Sequence, residues 1–292
     1  TPINFPNRNA IGWKWSNPVR AHRIEEVLKS GKKHNLESFA HLQNDYVSLT
    51  ARTLIPLLNQ VTVEDNSYTF YINNLRNWKT FELSPESTEA TLYVAWENQL
   101  QVAVHALAVP ENAKKYMRSI TTKRLTDWLV TPPPFFGPNP VSARDSILVI
   151  CLKNAVETLK VRLGNDTSKW QYGQNKNKHI TLTHALSDWV IDPTLKAKIN
   201  LGPIPRGGYG ETANATSNNL NQSHGASFRI LVDTENWDRT LGINNPGQSG
   251  DPRSPHYNDL FDLWGQGGYF PVYFTKSKVI EVAEKKLVLV GK

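Results

Sequence analysis

The first half of the chain has apolar residues at intervals of three and four positions, the spacing of an amphipathic helix. This pattern predicts four main helices, over residues 19–30, 36–58, 85–109 and 143–163. Two shorter helices are expected between the last two, at 111–118 and 121–129. The first half of the protein is therefore predicted to be mostly helical.

Residues that favour helix ends stand at these boundaries. Polar N-cap residues precede the four main helices: Asn17, Asn35, Ser84 and Ser142. Gly31 and Gly164 follow the first and last of them, where glycine favours the C-terminal turn. Proline cannot continue a helix, so Pro56 is expected to kink or shorten the second one and Pro110 to end the third.

After Gly164 the pattern changes. Residues 165–222 are rich in Asn, Gly, Thr and Pro, and little periodicity is left. Short β-rich runs follow and predict strands, at 225–233, 240–243, 267–274 and 286–291. Short helices are expected at 256–264, capped by Ser254-Pro255, and at about 276–283. The fold class is therefore α+β, with a mostly helical region 1–164 and a mixed region 165–292 that has antiparallel strands in the last third.

Composition narrows the class of protein. The chain has 292 residues, 39% of them hydrophobic and nine of them Trp, which is enough for a large buried core. The net charge of +7 is spread over isolated basic pairs and gives no basic patch, so nucleic acid is not an expected partner. No apolar run approaches the ~18 residues of a membrane span. The single cysteine, Cys151, lies in an apolar run and is interpreted as a buried thiol.

The stretch "GQSGDPRSPHYNDLFDLW" (247–264) resembles a site but matches no catalytic motif. Asp251 stands where a nucleophile elbow needs its second glycine, and no Gly-Lys-Ser/Thr of a phosphate loop follows. His256 is interpreted as structural, bonding a nearby carboxylate or packing on Trp264. The spacing of His179 and His184, without a partner glutamate, does not indicate zinc.

Two other features could carry chemistry. The Asn-rich segment 207–229 could supply oxyanion donors, but asparagine in loops more often builds turns, and that interpretation is favoured. Thr1 could be an N-terminal nucleophile with its own amine as base. The residues alone therefore do not define a complete active site.

Longer stretches carry a family resemblance. "HGASFRILVD" and "LGINNPGQSGDPRSPHYNDLFDLWGQGGYFPVYF" resemble the C-terminal part of the penicillin acylase family, which includes acyl-homoserine lactone and cephalosporin acylases. "FPNRNAIGWKWSNPVRAHRIEEVLKS" and "LGNDTSKWQYGQNKNKHITLTHALS" resemble earlier segments of the same family. The resemblance covers nearly the whole chain and implies part of the αββα sandwich of an N-terminal nucleophile hydrolase.

The resemblance implies a mechanism and a missing part. In the family a precursor cleaves itself and exposes a serine, which attacks an amide carbonyl with its own α-amine as base. An asparagine side chain and a backbone N–H hold the oxyanion. This chain resembles only the second half of the larger (β) chain. The expected partners are therefore the small α chain and the N-terminal half of the β chain, which carries the serine. Thr1 is best interpreted as a cut point.

Some family residues map onto this chain by the resemblance. Arg20, at the start of the first helix, takes the place of an arginine that orients the oxyanion asparagine, and Arg23 is the second choice. Asn9 takes the place of a calcium-binding carboxylate, with Asn7 nearby, so a structural Ca²⁺ is possible but no cofactor is required. The 247–264 stretch is then architectural. The expected location is the periplasm or the outside of the cell.

The expected substrate is an acyl amide: a penicillin side chain, an N-acyl homoserine lactone or a similar compound. This chain alone is expected to be inactive. Two alternatives stay open. The chain is a self-contained hydrolase that uses Thr1, or it is a non-catalytic binding module derived from the family.

Overall fold

The computed structural model describes residues 17–62 and 65–291 of the chain. The described helices are, in chain order, α1 (Val19–Leu28), α2 (Leu36–Gln43), α3 (Leu49–Leu54), α4 (Thr69–Asn77), α5 (Thr88–Ala108), α6 (Thr122–Val130), α7 (Pro140–Leu163), α8 (Pro193–Ile199), α9 (Phe261–Gly265) and α10 (Lys276–Val282). The strands are β1 (His179–Leu182), β2 (Leu201–Pro205), β3 (Arg229–Leu231), β4 (Leu241–Ile243) and β5 (Phe270–Pro271). The predicted α+β class is confirmed.

The two longest helices, α5 and α7, pack against each other and form the centre of the helical part. Ser87 caps α5 by accepting from the N–H of Ala90 at 3.0 Å. The indole Nε1 of the fully buried Trp96 donates to the carbonyl of Leu148 on α7 at 3.0 Å. Burial of apolar side chains on both helices is the main force that joins them.

Shorter elements close the core around this pair. α3, a 3-10 turn at Ile55–Gln60, α4 and α6 contribute buried leucine and aromatic side chains. The guanidinium of Arg76 on α4 donates to the carbonyls of Leu58 and Val61, each at 2.6 Å. These bonds satisfy backbone acceptors where the 3-10 turn ends.

The strands form two small antiparallel sheets. β1 pairs with β2, and the second sheet has the order β3-β4-β5. A second apolar cluster lies between these sheets and α9, built on Ile180, Leu201, Ile243, Phe261 and Trp264. The division of the chain at residue 164 stays a prediction, although Trp170, Tyr172 and Tyr209 belong to the helical core.

The predicted helix over 36–58 is wrong in its middle. Asn35 does cap α2, in a capping box with Ser38. The chain then leaves the helix at Asn44, and Ser48 caps a separate α3. The segment between them pairs with residues 81–83, since the N–H of Ser48 donates to the carbonyl of Phe81 at 2.9 Å. This long-range pairing is invisible to helical periodicity. The expected effect of Pro56 is confirmed, because the helix becomes 3-10 there.

Three other helix starts differ from the predictions. α1 follows Pro18 with no side-chain cap from Asn17. The cap of α5 is Ser87 rather than Ser84, and the cap of α7 is Asn139 rather than Ser142. In each region several capping residues stand close together, and sequence alone does not choose among them. The end of α7 at Gly164 is confirmed, since this glycine is the C-cap and has a positive φ, whereas α1 ends at Leu28, before Gly31.

Elements of the second half were the hardest to predict. The sequence shows too little periodicity to predict β1, α8 and β2, or α4 in the first half, while β3, β4, β5 and α10 lie inside the predicted segments. The strand predicted at 286–291 is wrong: its described residues form no regular structure and Leu287, Leu289 and Val290 are exposed. A short apolar run does not form a strand when no strand of the described residues lies beside it.

The 247–264 stretch is a corner of the fold, as predicted. The N–H groups of Gln248 and Ser249 both donate to the carbonyl of His256, at 2.9 and 3.0 Å. The predicted helix over 256–264 exists only as α9, since turns occupy residues 252–260. Trp264 is buried as expected, whereas Leu263 is partly exposed and does not pack inward.

His256 belongs to the same corner. Its Nδ1 lies 2.8 Å from a carboxylate oxygen of Asp259 on an exposed surface. This contact is the carboxylate partner that was predicted for the histidine.

The corner gives a matched pair of glycine variants. A side-chain carbon at Gly247 would lie 2.6 Å from the Tyr257 carbonyl oxygen and nearer still to that of His256, whereas at Gly250 it would meet nothing within 4 Å. Gly247→Ala is expected to lower the free energy of unfolding by about 1–3 kcal/mol, and Gly250→Ala to leave it within about 0.5 kcal/mol. Urea denaturation measures both; equal midpoints would contradict the close packing of this turn.

Candidate functional site

Arg20 lies on an exposed face of α1, at the mouth of a cleft of about 490 Å³ between α1, α2 and β3. Apolar side chains such as Phe39 and Phe228 line most of this cleft. The charge of Arg20 also acts on Glu211: burial raises the pKa of this carboxyl, and Arg20 opposes that rise. Among the described residues, the Arg20 guanidinium donates no hydrogen bond.

Arg23, the second choice, has a different position. Its Nε and Nη2 donate to the carboxylate of Asp45 at 3.1 and 2.7 Å, and its Nη1 lies 3.2 Å from Glu26. Asp45 also accepts from the N–H of Val47 at 3.0 Å. Bidentate pairing of this kind fixes a guanidinium. Arg23 therefore joins α1 to the break between α2 and α3 and has a structural role.

The loop at 206–218 separates the cleft from a second, polar cavity. Its asparagines hold the loop in shape: the amide of Asn214 donates to the Gly207 carbonyl at 3.3 Å, and the N–H of Gly210 donates to Asn218 at 2.8 Å. Gly208 has a φ of +71°, and a side chain there would collide with Asn214. The turn-building interpretation of these asparagines is confirmed.

The polar cavity has a volume of about 560 Å³ and contains a buried carboxyl. Glu97 on α5 and Glu211 in the loop line it, with Asn17 and Thr122 at its rim. The hydroxyl of Tyr209 donates to Glu97 at 3.2 Å and lies 3.0 Å from the hydroxyl of Ser48. Burial raises the pKa of Glu97 to about 7.

Glu97 can therefore take up or release a proton near neutral pH. The sequence analysis missed it. The available signal was a single acid inside the apolar run "TLYVAWENQL", where helical spacing puts it on the same buried side as Tyr93 and Leu100.

A group of buried cations lies on the other side of the loop. Lys178 donates to the carbonyls of Ser217 and Asn219, and Arg206 donates to Gln222 at 2.9 Å and to the carbonyl of Gly265. Arg206 also lies over the Trp264 ring, 4.5 Å from its centre. Burial lowers the pKa of Lys178 to about 7. In the described part of the chain these cations meet carbonyls and rings instead of carboxylates.

Several predicted sites are not found here. Asn9, Asn7 and Thr1 lie outside the described residues. Within the described ranges no three His, Cys, Asp or Glu side chains come close enough to hold a metal ion. This part of the chain therefore offers no calcium site of that kind.

The remaining candidates of the sequence analysis are structural. His179 contacts the carbonyl of Asn177, while His184 accepts from the N–H of Leu186. Cys151 is buried, and burial raises the pKa of its thiol to about 12. None of the helices described here is long and apolar enough to cross a membrane.

The fold and then the family identify the class of protein. The chain resembles the solved structure of a thermostable penicillin G acylase from Alcaligenes faecalis, with a TM-score of 0.59 over 99% of this chain and 56% of that one, at 17% identity. The chain therefore has the fold of the matched part of that acylase, as predicted. The penicillin amidase family matches residues 2–281, and the chain belongs to this family of amide hydrolases.

Two similar proteins are named as acylases. The acyl-homoserine lactone acylase QuiP of Pseudomonas aeruginosa is 25% identical over 94% of this chain and 37% of its own length. The penicillin acylase 2 proenzyme of Pseudomonas sp. SE83 is 30% identical over 90% of this chain and 34% of its own length. The chain thus spans about a third of the relatives that it matches.

Glu97 makes the stability of the protein depend on pH. Its folded pKa of about 7 exceeds the ordinary value of 4.5, so the folded state keeps the proton to a higher pH than the unfolded chain. The contribution of Glu97 to the free energy of unfolding is therefore lost as pH rises from about 4.5 to about 7, by roughly 3 kcal/mol at 1.36 kcal/mol per unit. We compare the free energy of unfolding of Glu97→Gln with that of wild type. The difference is expected to shift in favour of the variant by about 3 kcal/mol between pH 5 and pH 8.

Urea unfolding at both pH values measures this difference. The exposed Glu86, mutated to Gln, is the control and should keep the pH dependence of the wild type. If Glu97→Gln differs from wild type by the same amount at pH 5 and pH 8, the carboxyl does not hold its proton as described.

Proposed function

We propose that this chain is part of a penicillin acylase-like amidohydrolase, which hydrolyses an acyl amide through an acyl-enzyme on an N-terminal serine outside these residues. The observation that carries the proposal is the family match over residues 2–281 in a chain that spans only a third of its relatives. A whole enzyme of that length would hold the serine in the part that this chain lacks.

In this proposal the serine α-amine removes the proton from the hydroxyl as it attacks the amide carbonyl. The amine product leaves, and water then releases the acid. An asparagine side chain and a backbone N–H stabilise the oxyanion of both steps. The remainder of the precursor, a small α chain and the N-terminal half of the β chain, is the partner that completes the site.

The part we assign to this chain is to position groups of that site. Arg20 is the arginine that orients the oxyanion asparagine. Its exposed position at the cleft mouth supports this role, as does the engagement of the neighbouring Arg23 with Asp45. Arg20 would act through the asparagine and is a positioning residue.

The substrate that we propose is an acyl amide of the kind that the relatives' names indicate: an N-acyl homoserine lactone, a penicillin or a similar compound. Quorum-signal degradation and antibiotic conversion are the corresponding roles. We place the enzyme in the periplasm or outside the cell, on the family resemblance. No step of this mechanism passes through a metal, and a Ca²⁺ near Asn9 would be structural.

Intact-mass analysis with N-terminal sequencing of every polypeptide from the complete gene tests the proposal. We expect two chains, with serine at the start of the larger one, and release of acid from N-acyl homoserine lactones or penicillin G that Ser→Ala at that position abolishes. Activity with a single 33.0 kDa product that Thr1→Ala abolishes would instead support the self-contained hydrolase. A complete gene product without a serine start and without activity would support the binding module.

Arg20 and Arg23 give a matched pair of variants in the complete enzyme. Arg20→Ala is expected to lower kcat about 10- to 100-fold, because the oxyanion asparagine loses its orientation, with an unchanged Tm. Arg23→Ala breaks the pair with Asp45 and is expected to lower Tm and leave kcat within about threefold at low temperature. Steady-state kinetics and thermal unfolding distinguish the two. Equal kcat for Arg20→Ala and wild type would remove Arg20 from the site.

A further inference from the structure

The connection between α5 and α6 has apolar and basic side chains on its outer surface. Its tip has the sequence "KYMR", residues 115–118, and all four residues are exposed. Tyr116 is 78% and Met117 is 52% exposed, although both side chains are large and mostly apolar. Two adjacent apolar side chains in water, with a cation on each side of them, differ from the scattered apolar residues of an ordinary surface. These four residues are called here the 115–118 tip.

Hydrogen bonds hold the backbone of the 115–118 tip in place. The N–H groups of Tyr116 and Met117 both donate to the carbonyl of Ala113, at 2.9 Å each. The carbonyl of Met117 also lies 2.5 Å from Nε2 of His105 on α5. Ile120, two residues after the tip, is buried in the helical core. These contacts fix the backbone while the apolar pair stays on the outside, so the exposure of the pair is a property of the fold.

The charge around the tip is positive. Lys115 and Arg118 flank the apolar pair, and neither forms an ion pair with a carboxylate among the described residues. The ammonium group of Lys115 lies over the ring of Tyr116, 4.7 Å from its centre. The two acids of this region each pair with another lysine, Glu111 with Lys114 at 2.5 Å and Asp127 with Lys123 at 2.7 Å. The cations of the tip are therefore available to a partner with negative charge.

A membrane surface with anionic lipids offers both negative charge and an apolar interior. Tyrosine is enriched at membrane–water interfaces, where its ring lies at the level of the headgroups. Each Lys or Arg near such a surface contributes about fivefold to the affinity. A soluble polyanion, such as a charged polysaccharide, would neutralise Lys115 and Arg118 but would leave Tyr116 and Met117 in water. The composition of the tip therefore favours a lipid surface.

We propose that the 115–118 tip binds the surface of membranes that contain anionic phospholipids. Tyr116 and Met117 enter the headgroup region, while Lys115 and Arg118 lie against the lipid phosphates. The contact is peripheral and reversible, because two apolar side chains and two charges give only weak attachment. It goes beyond the proposed function, since it requires neither the active site nor a substrate.

Co-sedimentation of the complete protein with lipid vesicles tests the proposal. The probes are vesicles of phosphatidylcholine alone and vesicles that also contain about 30% phosphatidylglycerol, an anionic lipid. We expect the complete protein to bind the anionic vesicles at least about tenfold more strongly than the neutral ones. This binding is expected to weaken as the salt concentration rises from about 0.1 M to about 0.5 M, because salt screens exposed charges.

Two double variants separate the contributions of charge and apolar surface. Lys115→Gln/Arg118→Gln removes both cations and is expected to lower the vesicle partition coefficient at least about tenfold. Tyr116→Ser/Met117→Ser keeps the charge and is expected to lower this coefficient at least about threefold, because less apolar surface leaves water on binding. All four side chains are exposed, so both variants are expected to keep the Tm of the wild type.

Lys32→Gln/Lys33→Gln is the matched control, since it removes the same charge from an exposed basic pair between α1 and α2. Its partition coefficient is expected to stay within about twofold of wild type. An equal loss in this control, equal binding to neutral and anionic vesicles, or no binding at all would overturn the proposal. Unchanged binding of Tyr116→Ser/Met117→Ser would also overturn it, since charge alone would then account for the contact. Stronger binding to heparin or single-stranded DNA than to the vesicles would assign the tip to a soluble polyanion instead.

A fluorescent label provides a second measurement. Met117→Cys carries an environment-sensitive dye in the complete protein, and Val161→Cys, at a position 91% exposed on α7, carries it in the control. We expect the emission of the dye at position 117 to shift to shorter wavelengths when anionic vesicles are added, and that of the dye at position 161 to stay unchanged. A shift at neither position, or an equal shift at both, would contradict insertion of the tip.

Discussion

The packing of α5 against α7 is the constraint on which the rest of the structure depends. Nine of the 21 residues of α5 are buried, and the elements packed against it present apolar side chains to it. Of the two acids on that helix, Glu97 is buried, and the cost of burying it is reduced by Tyr209, which comes from the loop at 206–218. The same tyrosine contacts Ser48, the cap of α3. The helical core thus determines where the loop lies, and the loop separates the two cavities.

Local signals were enough to predict the helices that carry this core. The spacing in α1, α5 and α7 and the glycines at 31 and 164 gave their positions to within a few residues. The break at Asn44 could not be predicted, because it depends on pairing with residues 81–83, more than thirty positions away. The strands were predicted only where apolar alternation was strong, since β1 and β2 depend on each other and not on their own patterns.

The candidate site was predictable only in part, and for a different reason. Arg20 came from a family resemblance, and nothing in its local sequence distinguishes it from Arg23. The distinction is spatial: Asp45, 22 positions from Arg23, occupies that guanidinium. Glu97 and Lys178 were missed because an isolated charge in a sequence does not disclose its burial. Asn9 and Thr1 lie outside the described residues, so their roles stay predictions.

Several cationic side chains in the described part of the chain support the backbone. Arg76 donates to the carbonyls of a 3-10 turn, Lys178 to those of the loop after Thr216, and Arg206 to the carbonyl of Gly265. A cation bonded to carbonyls is held in one place, which stabilises a loop. Arg20 differs, because the described residues give its guanidinium no acceptor. Side chains that hold the backbone in place serve amide hydrolysis only when another polypeptide supplies the reacting groups. The proposed role of this chain is therefore to position groups of an active site that lies mostly outside it.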